Sequence, residues 1–148
     1  MSVSMTFGES LDRFSILLIK ASLSADWGVK LKSLRRAVEV CELLTVRLSR
    51  VSLPASDLID RLSAVNKNLW NLENEIRELH ARNRGKGLEE WSPDDMRAVA
   101  FKSSMIIENN KVRHKLISDL DYLAGDTSEP KSYYEAPEEV PDGQDETG

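Results

Sequence analysis

The sequence predicts an all-α protein: an antiparallel up-down bundle of about four helices with a long helical hairpin and a disordered acidic tail. Three observations carry this. Apolar residues recur at three- and four-residue spacing through four separate segments. No stretch of useful length alternates with the period of two that a half-buried strand shows. Aromatic residues are only 6% of a chain that is 41% hydrophobic, so the core is largely aliphatic. The expected division is a helical bundle domain over 1–125 and a disordered tail over 126–148.

The first helix is expected from about Phe7 to about Ser24. Thr6-Phe7-Gly8-Glu9 fits a capping box, in which a hydroxyl and a carboxylate satisfy the orphan amides of a helix start. Phe7, Leu11, Phe14, Leu18 and Ala21 form its apolar stripe, widened by Ile16, Leu17 and Ile19. That width predicts a central helix.

The second helix is expected from about Asp26 to Val51. Its seam reads Trp27, Leu31, Leu34, Val38, Cys41, Thr45 and Leu48, with Lys30, Lys32, Arg35 and Arg36 on a basic outer face. The third follows Leu53-Pro54, since proline suits a first turn, and runs to about Arg84, where Gly85-Lys86-Gly87 breaks it. Leu58, Leu62, Val65, Leu69, Leu72, Ile76 and Leu79 are its core seam. The fourth opens at Ser92-Pro93-Asp94-Asp95 and stops at Gly125, a favoured left-handed terminator. The third and fourth helices are the longest. They predict a protruding hairpin whose incompletely covered seam makes a homodimer.

The formal charge is −5, unevenly spread. Between 126 and 148 lie eight acidic residues and one lysine, a net −7, which leaves +2 on residues 1–125. A near-neutral body has no basic footprint for nucleic acid, and an acidic tail repels nucleic acid and anionic membrane alike. The longest apolar run, Ile16-Leu17-Leu18-Ile19, is far too short to span a bilayer. One cysteine, Cys41, reads as helix core and excludes an intrachain disulfide, so a cytoplasmic location is expected.

The chemically interesting residues are polar groups beside or inside the core seams. Asn66, Trp70, Glu73 and Arg77 follow steps of four, three and four, and so share one helical stripe. Asn110 and Arg113 interrupt the seam of the fourth helix, where aliphatic residues belong. Burying such groups costs several kcal/mol unless they are paired, and Glu73 and Asp12 are their natural partners. The first helix adds Glu9 and Lys20.

Two readings follow. The set is a register-fixing ion-pair network, or it is a pocket in which Lys20, Arg77 and Arg113 clamp an anion while Trp70 supplies a stacking face. The expected ligand-binding residues are therefore Lys20, Asn66, Trp70, Glu73, Arg77, Asn110 and Arg113.

Other chemistries find no support. Glu-x-x-His pairs for a di-iron site fail, because Arg77 precedes His80 and Lys111 precedes His114 at that spacing. Zinc lacks ligands, and no glycine-rich phosphate loop occurs. Glu9, Asp12 and Glu73 are hard oxygen ligands that would suit magnesium in a nucleotide or nucleotide-sugar hydrolase.

Phe7-Gly8-Glu9-Ser10-Leu11-Asp12-Arg13-Phe14-Ser15-Ile16-Leu17 resembles the opening of a family of uncharacterised bacterial helical proteins. Val65-Asn66, Leu69-Trp70, Glu73 and Ile76-Arg77 resemble its second block. Asn110, Arg113, Leu116, Leu120 and Gly125 resemble its third, and Pro130-Lys131-Ser132-Tyr133 its C-terminal signature. The chain departs from the pattern at Lys111, where an acid is expected, and at Val112 and Ile117, where basic residues are expected.

Members of that family are often encoded beside glycosyltransferases or fused to them, so the resemblance implies a link to envelope polysaccharide synthesis. The expected function is a non-catalytic binding or accessory module for a partner protein or a small anionic ligand, with no cofactor. Magnesium enters only in the alternative hydrolase.

Overall fold

The computed structural model describes residues 5–48 and 54–126. Four α-helices follow in order: α1 Phe7–Leu23, α2 Trp27–Leu48, α3 Pro54–Arg82 and α4 Pro93–Leu123, with a short 3-10 turn at Leu88–Glu90 before α4. Among the described residues there is no strand. The expected acidic tail lies, apart from Asp126, outside the described residues, as does the predicted end of the second helix.

Two helical hairpins make the bundle, α1–α2 and α3–α4. Helix α1 packs against all three others, whereas α2 packs extensively only on α1. The core joins Phe7, Leu11 and Leu17 of α1 to Ala37, Val40 and Leu44 of α2, Leu62 of α3, and Leu116, Ile117 and Leu120 of α4. The third seam is buried or half-buried as predicted, down to Leu79 at 6% exposure. Its far end is therefore covered within the chain, while Met96, Phe101 and Ile107 on α4 of the same hairpin are exposed.

The α3–α4 hairpin is latched at its tip. Asn83 donates to the Leu79 carbonyl (2.9 Å) and to Asp95 Oδ2 (2.9 Å), and Arg82 pairs with the same carboxylate at 2.9 Å. The Asn83 hydrogen bond leads in holding the Asp95 carboxyl below its ordinary range. Gly85 supplies the positive φ of the reversal. Ser92 caps α4 by accepting from Asp95 N–H at 3.1 Å.

Helix α2 corrects the sequence reading. Its buried face is Ser33, Ala37, Val40 and Leu44. The expected seam is turned to solvent: Trp27 is 69% exposed, Val38 54%, and Cys41 is exposed rather than buried. Two of these four are small, Ser33 and Ala37, and they carry little of the signal from which apolar spacing is read.

The start of α1 shows how the hairpins lock. A helix leaves its first amides without intrahelical partners. Here Phe7 N–H donates to Asp126 Oδ2 (2.6 Å), Gly8 N–H to Asp121 Oδ1 (2.6 Å) and Glu9 N–H to the Thr6 hydroxyl (3.2 Å). Both aspartates come from the end of α4. Gly125, at φ +74°, lets Asp126 N–H reach the Asp121 carbonyl and Gly125 N–H the Tyr122 carbonyl, a Schellman termination. Arg47 of α2 pairs with Asp126, so three helices meet at one helix terminus.

Gly8 is required for this approach. A β-carbon there would lie 2.3 Å from the Ile117 carbonyl oxygen and 2.8 Å from Asp121 Oδ1.

Burial raises the Asp121 carboxyl above its ordinary range, and the charges of Asp126 and Glu9 add to it. Hydrogen bonds from Gly8 N–H and the Thr6 hydroxyl oppose the shift. A carboxyl raised in the folded state binds its proton more tightly there than in the unfolded chain. Its contribution is therefore greatest at low pH and is lost as pH rises through the raised value. Asp121→Asn keeps an acceptor for Gly8 but cannot ionise. Denaturant midpoints taken from neutral pH down towards the ordinary carboxylate range should rise for wild type relative to this variant. Parallel profiles would show that Asp121 is not the source.

Candidate functional site

Helix α1 crosses the α3–α4 pair where their seams turn polar, and Asp12 is the centre of that crossing. It is only 7% exposed. Its Oδ1 accepts from Asn66 Nδ2 (2.9 Å) and Arg113 Nε (2.9 Å), and its Oδ2 accepts from Arg113 Nη2 (2.6 Å). The guanidinium thus meets the carboxylate as a bidentate fork, the strongest geometry for this pair. Ser15, one turn beyond Asp12, stands 3.4 Å from Asn66 Nδ2 and 3.4 Å from the Ser63 hydroxyl. The hydrogen bond to Asp12 is the leading reason that Arg113 is held above its ordinary value. No buried side-chain polar atom among the described residues lacks a partner.

Beside this network opens a cleft of about 220 Å³ between α1, α3 and α4. It is lined by Lys20, Asn66, Trp70, Glu73, Arg77, Asn110 and Arg113, with Ile16, Ile19 and Leu69 as its apolar wall. All seven predicted ligand-binding residues therefore share one hollow.

Their roles differ from the expectation. Arg113 is not an open clamp, because Asp12 already occupies its Nε and Nη2 edge. Glu73 is exposed and contributes only the weakest of the attractions that Arg113 feels. Lys20 and Arg77 form no salt bridge among the described residues, and Arg77 bonds the neutral Asn74 amide at 3.3 Å. They are the two cations of the cleft lining without an ion pair among the described residues.

A second hollow of about 500 Å³ is lined in part by Glu9, Asp12, Arg13 and Arg36 and shares Ile16, Lys20 and Arg113 with the first. Glu9 is engaged in the capping box, its carboxylate accepting from Thr6 N–H at 3.1 Å. The magnesium set Glu9, Asp12 and Glu73 is not assembled. Glu9 and Asp12 line one hollow and Glu73 the other, and Asp12 is neutralised by a guanidinium. Among the described residues no group of three or more His, Cys, Asp or Glu side chains could hold a metal ion. No helix among them is long and apolar enough to cross a membrane.

No family model, curated protein or solved structure matches the chain. The site is therefore read from its own chemistry. Sequence reasoning missed Ser15 and Ser63, which complete the network, although Ser15 sits one helical step from Asp12. It also missed Asp121 and Asp126, whose signal was the acid–Gly125–acid pattern at the end of α4.

Removing one partner of a buried ion pair strands the other. The Asp12 side chain is 10% exposed and that of Arg113 is 27% exposed. Asp12→Ala and Arg113→Ala should each cost roughly 3 kcal/mol, with the double variant costing clearly less than the two together. Glu73→Ala should stay within about 0.5 kcal/mol of wild type. Urea titration of the four variants beside wild type checks this, and additive losses at Asp12 and Arg113 would show that the pair does not act as a unit.

Proposed function

We propose that the protein is a non-catalytic binding module whose α1–α3–α4 cleft takes a small anionic ligand. The observation that carries this reading is the gathering of Lys20 and Arg77, two cations without an ion pair among the described residues, beside the half-buried indole of Trp70. The Asp12–Arg113–Asn66 network holds the floor of the cleft in one geometry, so the rim groups need little ordering when a ligand arrives.

Size narrows the ligand. Pockets for drug-sized molecules run to roughly 300–1,000 Å³. A cleft of about 220 Å³ suits a smaller group such as a phosphorylated sugar or a sugar acid. Lys20 and Arg77 would take the oxyanion, Trp70 would lie against the ring, and Glu73 and Asn110 would accept from hydroxyls. The resemblance to proteins encoded beside glycosyltransferases favours this ligand class and an accessory role in polysaccharide synthesis. A cytoplasmic setting suits the exposed thiol of Cys41, which a reducing compartment would keep free.

Thermal shift with glucose 1-phosphate, inorganic phosphate and a uridine diphosphate sugar tests the reading. The sugar phosphate should stabilise the chain, by about 2.7 kcal/mol when present at 100 times its dissociation constant. Lys20→Ala/Arg77→Ala should lose that response while keeping the stability of the unliganded protein. No shift with any of the three probes, or a shift that survives the double variant, would overturn it.

A further inference from the structure

The strongest unassigned feature is the outer flank of α2. Trp27, Leu31, Leu34, Val38, Cys41, Thr45 and Leu48 recur at unbroken four–three steps over the length of the helix. At roughly 100° per residue, this stripe lies about a quarter-turn or slightly more around the helix from the face that meets α1. Its large members are open to solvent: Trp27 69%, Leu31 52%, Leu34 50%, Val38 54% and Leu48 39% exposed. An exposed apolar ribbon of this length, carrying a tryptophan, marks an interaction surface.

The period says what kind of partner fits. The buried face of α2, Ser33, Ala37, Val40 and Leu44, keeps the same four–three–four steps where it packs on helix α1. A repeat held at 3.5 residues over three heptads belongs to a left-handed supercoil against another helix. The geometry points to a second copy of this chain, paired through α2 with α2 in antiparallel orientation.

Two arguments select that occupant. First, the stripe is self-complementary about a two-fold axis between Val38 and Cys41. That register sets Leu31 against Leu48 of the second copy, Leu34 against Thr45 and Val38 against Cys41. It also brings Arg35, beside the stripe on the solvent side, opposite Glu42 of the second copy, and symmetry makes this pairing twice. Second, the parallel alternative fails on charge. It would set Lys30 against Arg35 of the second copy, like charges at the positions that normally decide coiled-coil orientation. An anionic membrane is the other occupant an amphipathic helix with Lys30, Lys32, Arg35 and Arg36 could have, and the test below separates it from a second copy. The interface lies on α2, whereas the sequence reading placed a dimer on the α3–α4 hairpin. The proposal does not depend on the cleft.

The test is mass in solution, by light scattering of the full chain at tens of micromolar. Wild type should give twice the 16.7 kDa of one chain. Leu34→Glu/Val38→Glu, at exposed positions, should give the single-chain mass with unchanged helical circular dichroism. If that variant misfolds, a charge swap decides. Arg35→Glu should weaken association about tenfold, and Arg35→Glu/Glu42→Arg should restore it. A wild-type monomer, including one that sediments with phosphatidylserine vesicles, would overturn the proposal. So would a dimer that survives the double glutamate variant, or a charge swap that restores nothing.

Discussion

Helix α1 is held at its N-terminus by carboxylates from the end of α4, and the remaining architecture hangs on that hold. Asp121 and Asp126 take the amides of Gly8 and Phe7. The absence of a β-carbon at Gly8 lets the two helices come close enough to do so. Carboxylates at a helix N-terminus also meet the positive end of its dipole. Arg47 ties α2 to the same point through Asp126 and lies over the Phe7 ring at 5.6 Å. Since α2 packs extensively only on α1, loosening this terminus would release a whole hairpin.

The Asp12–Arg113–Asn66 network is the second hold, further along α1. Its energetic meaning is asymmetric. A buried ion pair adds little over a well-packed apolar pair, but it penalises every register in which the partners fail to meet. It therefore specifies where α1 crosses α3 and α4. The cleft is a consequence of that crossing. Polar seam positions next to a satisfied ion pair leave room and unanswered charge, and Lys20, Arg77 and Trp70 stand at the edge of that room. Structural network and candidate pocket were rival readings of one set of residues. The network and the candidate cleft lie side by side, with Asn66 and Arg113 belonging to both.

Much of this was legible in the sequence. The caps at Thr6, Ser92 and Gly125 and the seam of α3 were visible because they are local signals. The stripe Asn66, Trp70, Glu73 and Arg77 pointed to the cleft because helical spacing alone puts those side chains on one face. What depended on long-range geometry was not legible. Nothing local says that Arg113 takes Asp12 rather than Glu73, or that the amides of Phe7 and Gly8 meet aspartates more than a hundred residues away. The phase of α2 failed for a different reason. Two apolar faces compete on that helix, and the small residues Ser33 and Ala37 carry less hydrophobic signal than Trp27 and Leu34.

Amide hydrogen exchange under native conditions tests most directly whether the α1 terminus holds the fold together. The first amides of a helix ordinarily exchange by fraying, at little free-energy cost. With Asp126 and Asp121 as partners, the Phe7 and Gly8 amides should exchange only when the whole domain opens, at the same free energy as the amides of Leu116 to Leu120 in α4. Exchange at Phe7 and Gly8 in the fraying range, with the α4 amides still protected, would contradict it.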